Sequence, residues 1–245
     1  MRICAVALIF PLLLGPDASS LQDAQVSVGH MMTAEELLTS RHIDLTEPSL
    51  VSALRNPDPH VRYLAAAALA DVKATDAIPA IIAALQSETV PETKVNIALA
   101  LVEFGEQQGF VTLKNTCVDR EVPAQVRVYA TMDLLGFGDE SCLDGLLDVL
   151  TSNSSGSGTR VLALGRLHQF RKVSEGDFQR IAAVTLNALA DPEPDVRIAA
   201  SHAVSQFPAG IATPSLEKAI TAEKEEGVRS LMKLDLQQVQ AHKDR

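Results

Sequence analysis

Residues 56–66 read Asn56-Pro57-Asp58-Pro59-His60-Val61-Arg62-Tyr63-Leu64-Ala65-Ala66, and residues 191–200 read Asp191-Pro192-Glu193-Pro194-Asp195-Val196-Arg197-Ile198-Ala199-Ala200. Each string is a proline-rich acidic turn, then Val-Arg, then an alanine-rich run. Proline sets the backbone angle of a first helical turn and has no N–H to leave unpaired there, so both strings describe a turn opening a helix. Outward from Arg62 and Arg197, a basic residue recurs at Lys94, Arg127, Arg160 and Arg229, giving successive spacings of 32, 33, 33, 37 and 32. Three further columns confirm the register. Three residues on stand Ala65, Ile97, Ala130, Ala163, Ala200 and Met232; seven on stand Leu69, Leu101, Leu134, Leu167, Val204 and Leu236. Ten on stand Val72, Phe104, Phe137, Phe170 and Phe207. A period of this length is the signature of a repeat architecture.

Offsets −1, +3, +7 and +10 from the basic residue fall on one side of an α-helix, which turns by roughly 100° per residue. Every unit therefore carries a helix B. Gly105 and Gly138 fall just past its end, where a left-handed cap is expected. A second apolar stretch follows in most units (Ile78–Ile82, Phe110–Leu113, Leu143–Leu146, Thr213–Leu216) and reads as helix A of the next unit, with Pro79 and Pro214 in its first turn. The fold expected is all-α: an α-solenoid, a superhelical stack of about six helix pairs over residues 33–236. Thr33-Ala34-Glu35-Glu36 is a capping box that opens a short helix ending near Ser40, expected to cap the stack.

The two quoted strings resemble HEAT repeats, specifically the short HEAT-like type of the phycobilin lyases. The likeness runs from about 46 to 236 and is weakest in the fourth unit, where the turn before Arg160 has become Thr151-Ser152-Asn153-Ser154-Ser155-Gly156-Ser157-Gly158. It implies a helix-pair stack whose six basic residues, Arg62, Lys94, Arg127, Arg160, Arg197 and Arg229, hydrogen-bond between adjacent units as a structural ladder. Asp58, Glu92, Asp195 and Glu225 lie near enough in sequence to pair with them.

Composition agrees with closely packed helices. The 245 residues are 47% hydrophobic, with no Trp and 4% aromatics, so the core is expected from Ala, Leu, Val and Ile. The 21 basic against 31 acidic residues give a net charge of −10, which lacks the positive footprint of nucleic-acid binding. Residues 1–20 have the order of a secretory signal: Met1-Arg2, an apolar run from Ile3 to Gly15, then Ala18-Ser19-Ser20. That run is too short to span a bilayer, so export to a periplasmic or extracellular compartment is expected, without stable membrane insertion after cleavage. Residues 21–32 read as a linker and 237–245 as a polar, fraying tail.

The side of helix B opposite its apolar stripe is the expected partner-binding surface, lining the concave side of the solenoid. It carries Tyr63, Val95, Val128, Val161 and Ile198 at offset +1, Leu99 and Met132 at +5, and Leu135 and His168 at +8. A solvated face would be charged; this one is apolar through its middle units, which points to a binding groove, with self-packing as the bland alternative. The six histidines form no metal-ligand set, Gly156-Ser157-Gly158 lacks the lysine of a phosphate loop, and no cofactor is indicated. Ser, His and Asp show no nucleophile–base motif, so no enzymatic activity is expected. Asn153-Ser154-Ser155 is a glycosylation sequon that matters only in a eukaryotic host. Cys117 and Cys142 occupy columns near opposite ends of adjacent A helices and are expected as free thiols beyond bridging distance.

The function expected is thus an exported, non-catalytic repeat scaffold that binds a protein or peptide along its B-helix face. The alternative is a lyase-like or cofactor-attachment chaperone related to the bilin lyases, and a third is a spacer that only bridges domains of an envelope complex.

Overall fold

The computed structural model describes residues 33–152 and 154–243. The expected leader and linker, and Asn153 of the sequon, lie outside them. Thirteen α-helices occur among the described residues, and no strand: α1 (Ala34–Ser40), α2 (Glu47–Ala53), α3 (Pro59–Asp71), α4 (Ile78–Ser87), α5 (Pro91–Glu103), α6 (Gln107–Val118), α7 (Ala124–Gly136), α8 (Leu143–Thr151), α9 (Ser157–Leu164), α10 (Glu175–Ala188), α11 (Pro194–Ser205), α12 (Ala209–Ala222) and α13 (Glu226–Lys243). From α2 onward they form six A/B pairs, and the structure is an all-α solenoid. The B helices α3, α5, α7, α9, α11 and α13 follow one another in direct contact. Each B helix carries its basic residue at its fourth position, so the spacing read from the sequence is a spacing of helix starts.

The local signals act as their chemistry requires. Thr33 and Glu36 close a reciprocal capping box on α1, whose Leu38 is fully buried and which packs on α3. Pro59, Pro91 and Pro194 begin α3, α5 and α11, and the Asp58 carboxylate accepts from the His60 amide. After α5 and α7, Gly105 and Gly138 take φ of 81° and 76°, and the amides that follow return to Leu101 and Leu134 carbonyls. The same corner after α3 is occupied by Lys73 at φ 55°. Small residues allow close approach: Ala65, Ala66 and Ala98 are fully buried, and a Cβ on Gly109 would lie 2.5 Å from the Ala98 carbonyl oxygen.

Four expectations are corrected. Pro214 lies inside α12, which begins at Ala209 behind Pro208 and so starts before the apolar stretch. Helix α9 ends at Leu164 with Gly165 as its C-cap, and residues 167–169 form a 3-10 turn, because glycine is a poor helix former at the point where the other B helices continue. The expected tail is helical as far as Lys243, held by Val239, which is buried with Val204, Ala212 and Leu216. Cys117 and Cys142 are joined as a disulfide, with Cα atoms 6.0 Å apart. The free-thiol expectation assumed that adjacent A helices stack level. Instead the first turn of α8 lies against the last turn of α6, and Gly145 permits it, since a Cβ there would fall 2.2 Å from the Cys117 carbonyl oxygen.

Candidate partner-binding face and basic ladder

Four of the six basic residues, Arg62, Arg160, Arg197 and Arg229, bond by one rule. The Arg62 guanidinium donates from Nη1 to the carbonyls of Asn56 and Pro57, six and five residues before it, and clasps the Glu88 carboxylate through Nε and Nη2 at 2.7 and 2.9 Å. Arg197 repeats this with the carbonyls of Asp191 and Pro192 and with Glu223, at 2.6 and 3.1 Å, and adds Glu225. Arg160 reaches the Ser155 carbonyl and Asp191, and Arg229 reaches the Glu223 carbonyl and Glu226. Each arginine thus ties down its own inter-helix turn and, in units one, four and five, the acid that caps or follows the next A helix. Those acids differ from most expected from the sequence: of Asp58, Glu92, Asp195 and Glu225, only Glu225 bonds the side chain of a ladder residue. The missed signal is the column six residues before the next basic residue, which holds Glu88, Asp191 and Glu223.

Electrostatics at these rungs follow from geometry. The Arg197 hydrogen bonds hold Glu223 down at about 2 against the cost of its burial, helped by the Glu225 and Lys224 amides. Burial alone would raise Glu88, but the Arg62 bond, the Val90 and Thr89 amides and the Arg62 charge outweigh it and keep the carboxyl below its usual range. Arg127 is the variant rung. It is 5% exposed, donates to the carbonyls of Cys117 and Gly145 at 3.1 and 3.3 Å, and pairs with Asp148 at 2.9 Å. The shift of α8 that allows the disulfide has placed new acceptors around it. The Lys94 ammonium makes no ion pair or hydrogen bond among the described residues, so the bond to an adjacent unit expected of it is absent.

The expected binding face is placed only in part. Val95 and Val128 are 2% and 0% exposed, so both are core residues and not partner contacts. Offsets +1 and +8 lie at roughly 100° and 80° around the helix and turn toward neighbouring B helices, as the burial of Val102 and Ala70 also shows. A helix in a stack has lateral neighbours as well as a partner helix A, and they cover positions that the pattern of one helix alone leaves open. Leu99, Met132, Leu135, Tyr63, Val161 and Ile198 are half-buried. Of these, Leu135, Tyr63, Val161 and Met132 also pack on the core from its edge. His168 is exposed in the 3-10 turn, outside any helix column.

The side open to solvent lies at +9, near roughly 180°, with +5, near roughly 140°, as its half-buried edge. Leu99 and Met132 occupy +5 on α5 and α7, while Asp71 and Glu103 occupy +9 on α3 and α5, both exposed. Asp133 stands beside Met132. Burial first, and then the charge of Glu103, push its carboxyl up to about 7. Glu103 is itself raised, by burial and by Asp71. Three B helices thus share an acidic row next to half-buried apolar side chains, a feature that single-unit patterning does not show because it arises only between neighbours. No group of three metal-ligating side chains gathers among the described residues, and no helix among them is long and apolar enough to cross a membrane.

No curated protein matches the chain. Residues 47–124, from the first residue of α2 to the first of α7, match the family model for HEAT repeats.

Proposed function

We propose that the protein is an exported scaffold that binds a protein or peptide segment across the B helices α3, α5 and α7, through an apolar strip at Leu99 and Met132 with the acidic row Asp71, Glu103 and Asp133 beside it. The observation that carries this reading is the pairing of partly exposed large apolar side chains with carboxylates that repel one another. A segment bringing aliphatic and cationic side chains would cover the first and relieve the second. HEAT repeats commonly serve as protein-interaction scaffolds, which supports the same reading. The Cys117–Cys142 bridge supports an oxidising, exported setting, because such bonds persist outside the reducing cytosol. The bilin-lyase alternative rests on the resemblance alone.

The test is capture of partners from extract by the mature chain, with Leu99→Glu plus Met132→Glu as the challenge. Capture falls at least roughly tenfold while the helical circular dichroism is kept. Unchanged capture by the folded variant removes the groove from the account. An absorption scan after incubation with free bilin gives no shifted band; a shifted band transfers the case to the alternative.

A further inference from the structure

The second unit contains a rung that does not close. In the first and fifth units an arginine clasps the glutamate that caps the next A helix: Glu88 after α4 and Glu223 after α12. The residue capping α6 is Asp119, and it sits in the same kind of corner. Its Oδ1 accepts from the amide two residues on, at 3.0 Å, as the oxygens of Glu88 and Glu223 accept from Val90 and Glu225. The basic residue of this unit is Lys94. The aspartate is one methylene shorter than glutamate, and the ammonium is a single point of charge where arginine offers a fork. No ion pair forms between them, and both line one cleft of about 470 Å³ together with Glu88 and Thr112.

We infer that this cleft is a binding site for a small zwitterion, of the class of free amino acids and unblocked short peptides, whose carboxylate meets Lys94 and whose ammonium meets Asp119. Glu88 also faces the cleft but is already engaged by Arg62 and the amides of Thr89 and Val90. The free charges are therefore one of each sign. A simple anion would satisfy Lys94 while facing Asp119, and a simple cation would do the reverse; a ligand carrying both charges completes the rung. The Thr112 hydroxyl gives its proton to the Gln108 carbonyl, so its oxygen is left to accept from the ammonium. The cleft volume lies within the usual range for small-molecule sites, about 300–1,000 Å³.

The site is separate from the face proposed for the partner. The test is titration of the whole mature protein, followed by NMR at the Lys94 side chain and the Asp119 amide, with glycine, β-alanine, 4-aminobutyrate and diglycine against acetate and methylammonium. At least one zwitterion saturates both signals and binds roughly tenfold more tightly than either single-charge probe. Lys94→Met weakens it by a similar factor, and Lys94→Arg with Asp119→Glu, which rebuilds the closed rung, abolishes it. Failure of every zwitterion to saturate the wild-type signals overturns the proposal. So does acetate binding as tightly as the best zwitterion, or undiminished binding by the variant with the rebuilt rung.

Discussion

Asp133 shows how a single carboxyl can report on the face around it. Its ordinary value of 3.8 is raised to about 7 in the fold, so the unfolded chain gives up the proton at lower pH than the native one. Stability from this group is therefore fully present below about pH 4 and is lost as pH rises toward 7. Asp133→Asn removes the penalty. It is expected to stabilise the protein at pH 8 by about 1–3 kcal/mol and to change little at pH 4, as measured by urea unfolding at both. A gain of equal size at the two pH values would mean that the carboxyl is not ionising within the fold. Gly145 is the other residue with a sharp role. With the Cys117 carbonyl 2.2 Å from the position of a Cβ, Gly145→Ala must push α8 off α6, at an expected cost of about 2–4 kcal/mol in thermal or chemical unfolding. A neutral alanine would place the two helices farther apart than described.

At the scale of elements, the chain was legible wherever a signal lies within one helix. The Pro-X-Val-Arg starts, the Gly105 and Gly138 caps and the capping box at Thr33 all form as read, because each is satisfied by atoms a few residues away. What escaped reading depends on neighbours. Val95 and Val128 look like groove residues in a lone helix and are core residues in a stack. Glu88, Asp191 and Glu223 look like ordinary loop acids until the arginine one unit earlier turns toward them. The axial offset between α6 and α8 is set by Gly145 and Arg127 together, and no column of the repeat encodes it.

At the scale of the molecule, three apolar clusters follow one another along the stack. One runs from α1 to Cys142, one from Val128 to Ala200, and a smaller one links α11, α12 and α13. The disulfide fastens α6 to the start of α8, where the first cluster gives way to the second, and closes a sequence separation of 25 residues. Mass measurement under non-reducing conditions is expected to find the chain two hydrogens lighter than its reduced form. Reduction is expected to cost about 2–4 kcal/mol. Two free thiols in freshly folded protein would return the pair to the packing role first read from the sequence.

The joint made by Arg62, and made again by Arg197, has its two halves in successive units: a cation at the start of one B helix and an acid at the end of the following A helix. A tandem copy of such a unit arrives already carrying both a plug and a socket. An array with this kind of fastening can lengthen by duplication without waiting for a matching mutation elsewhere, and it is least constrained where, as at Lys94, the fastening is open.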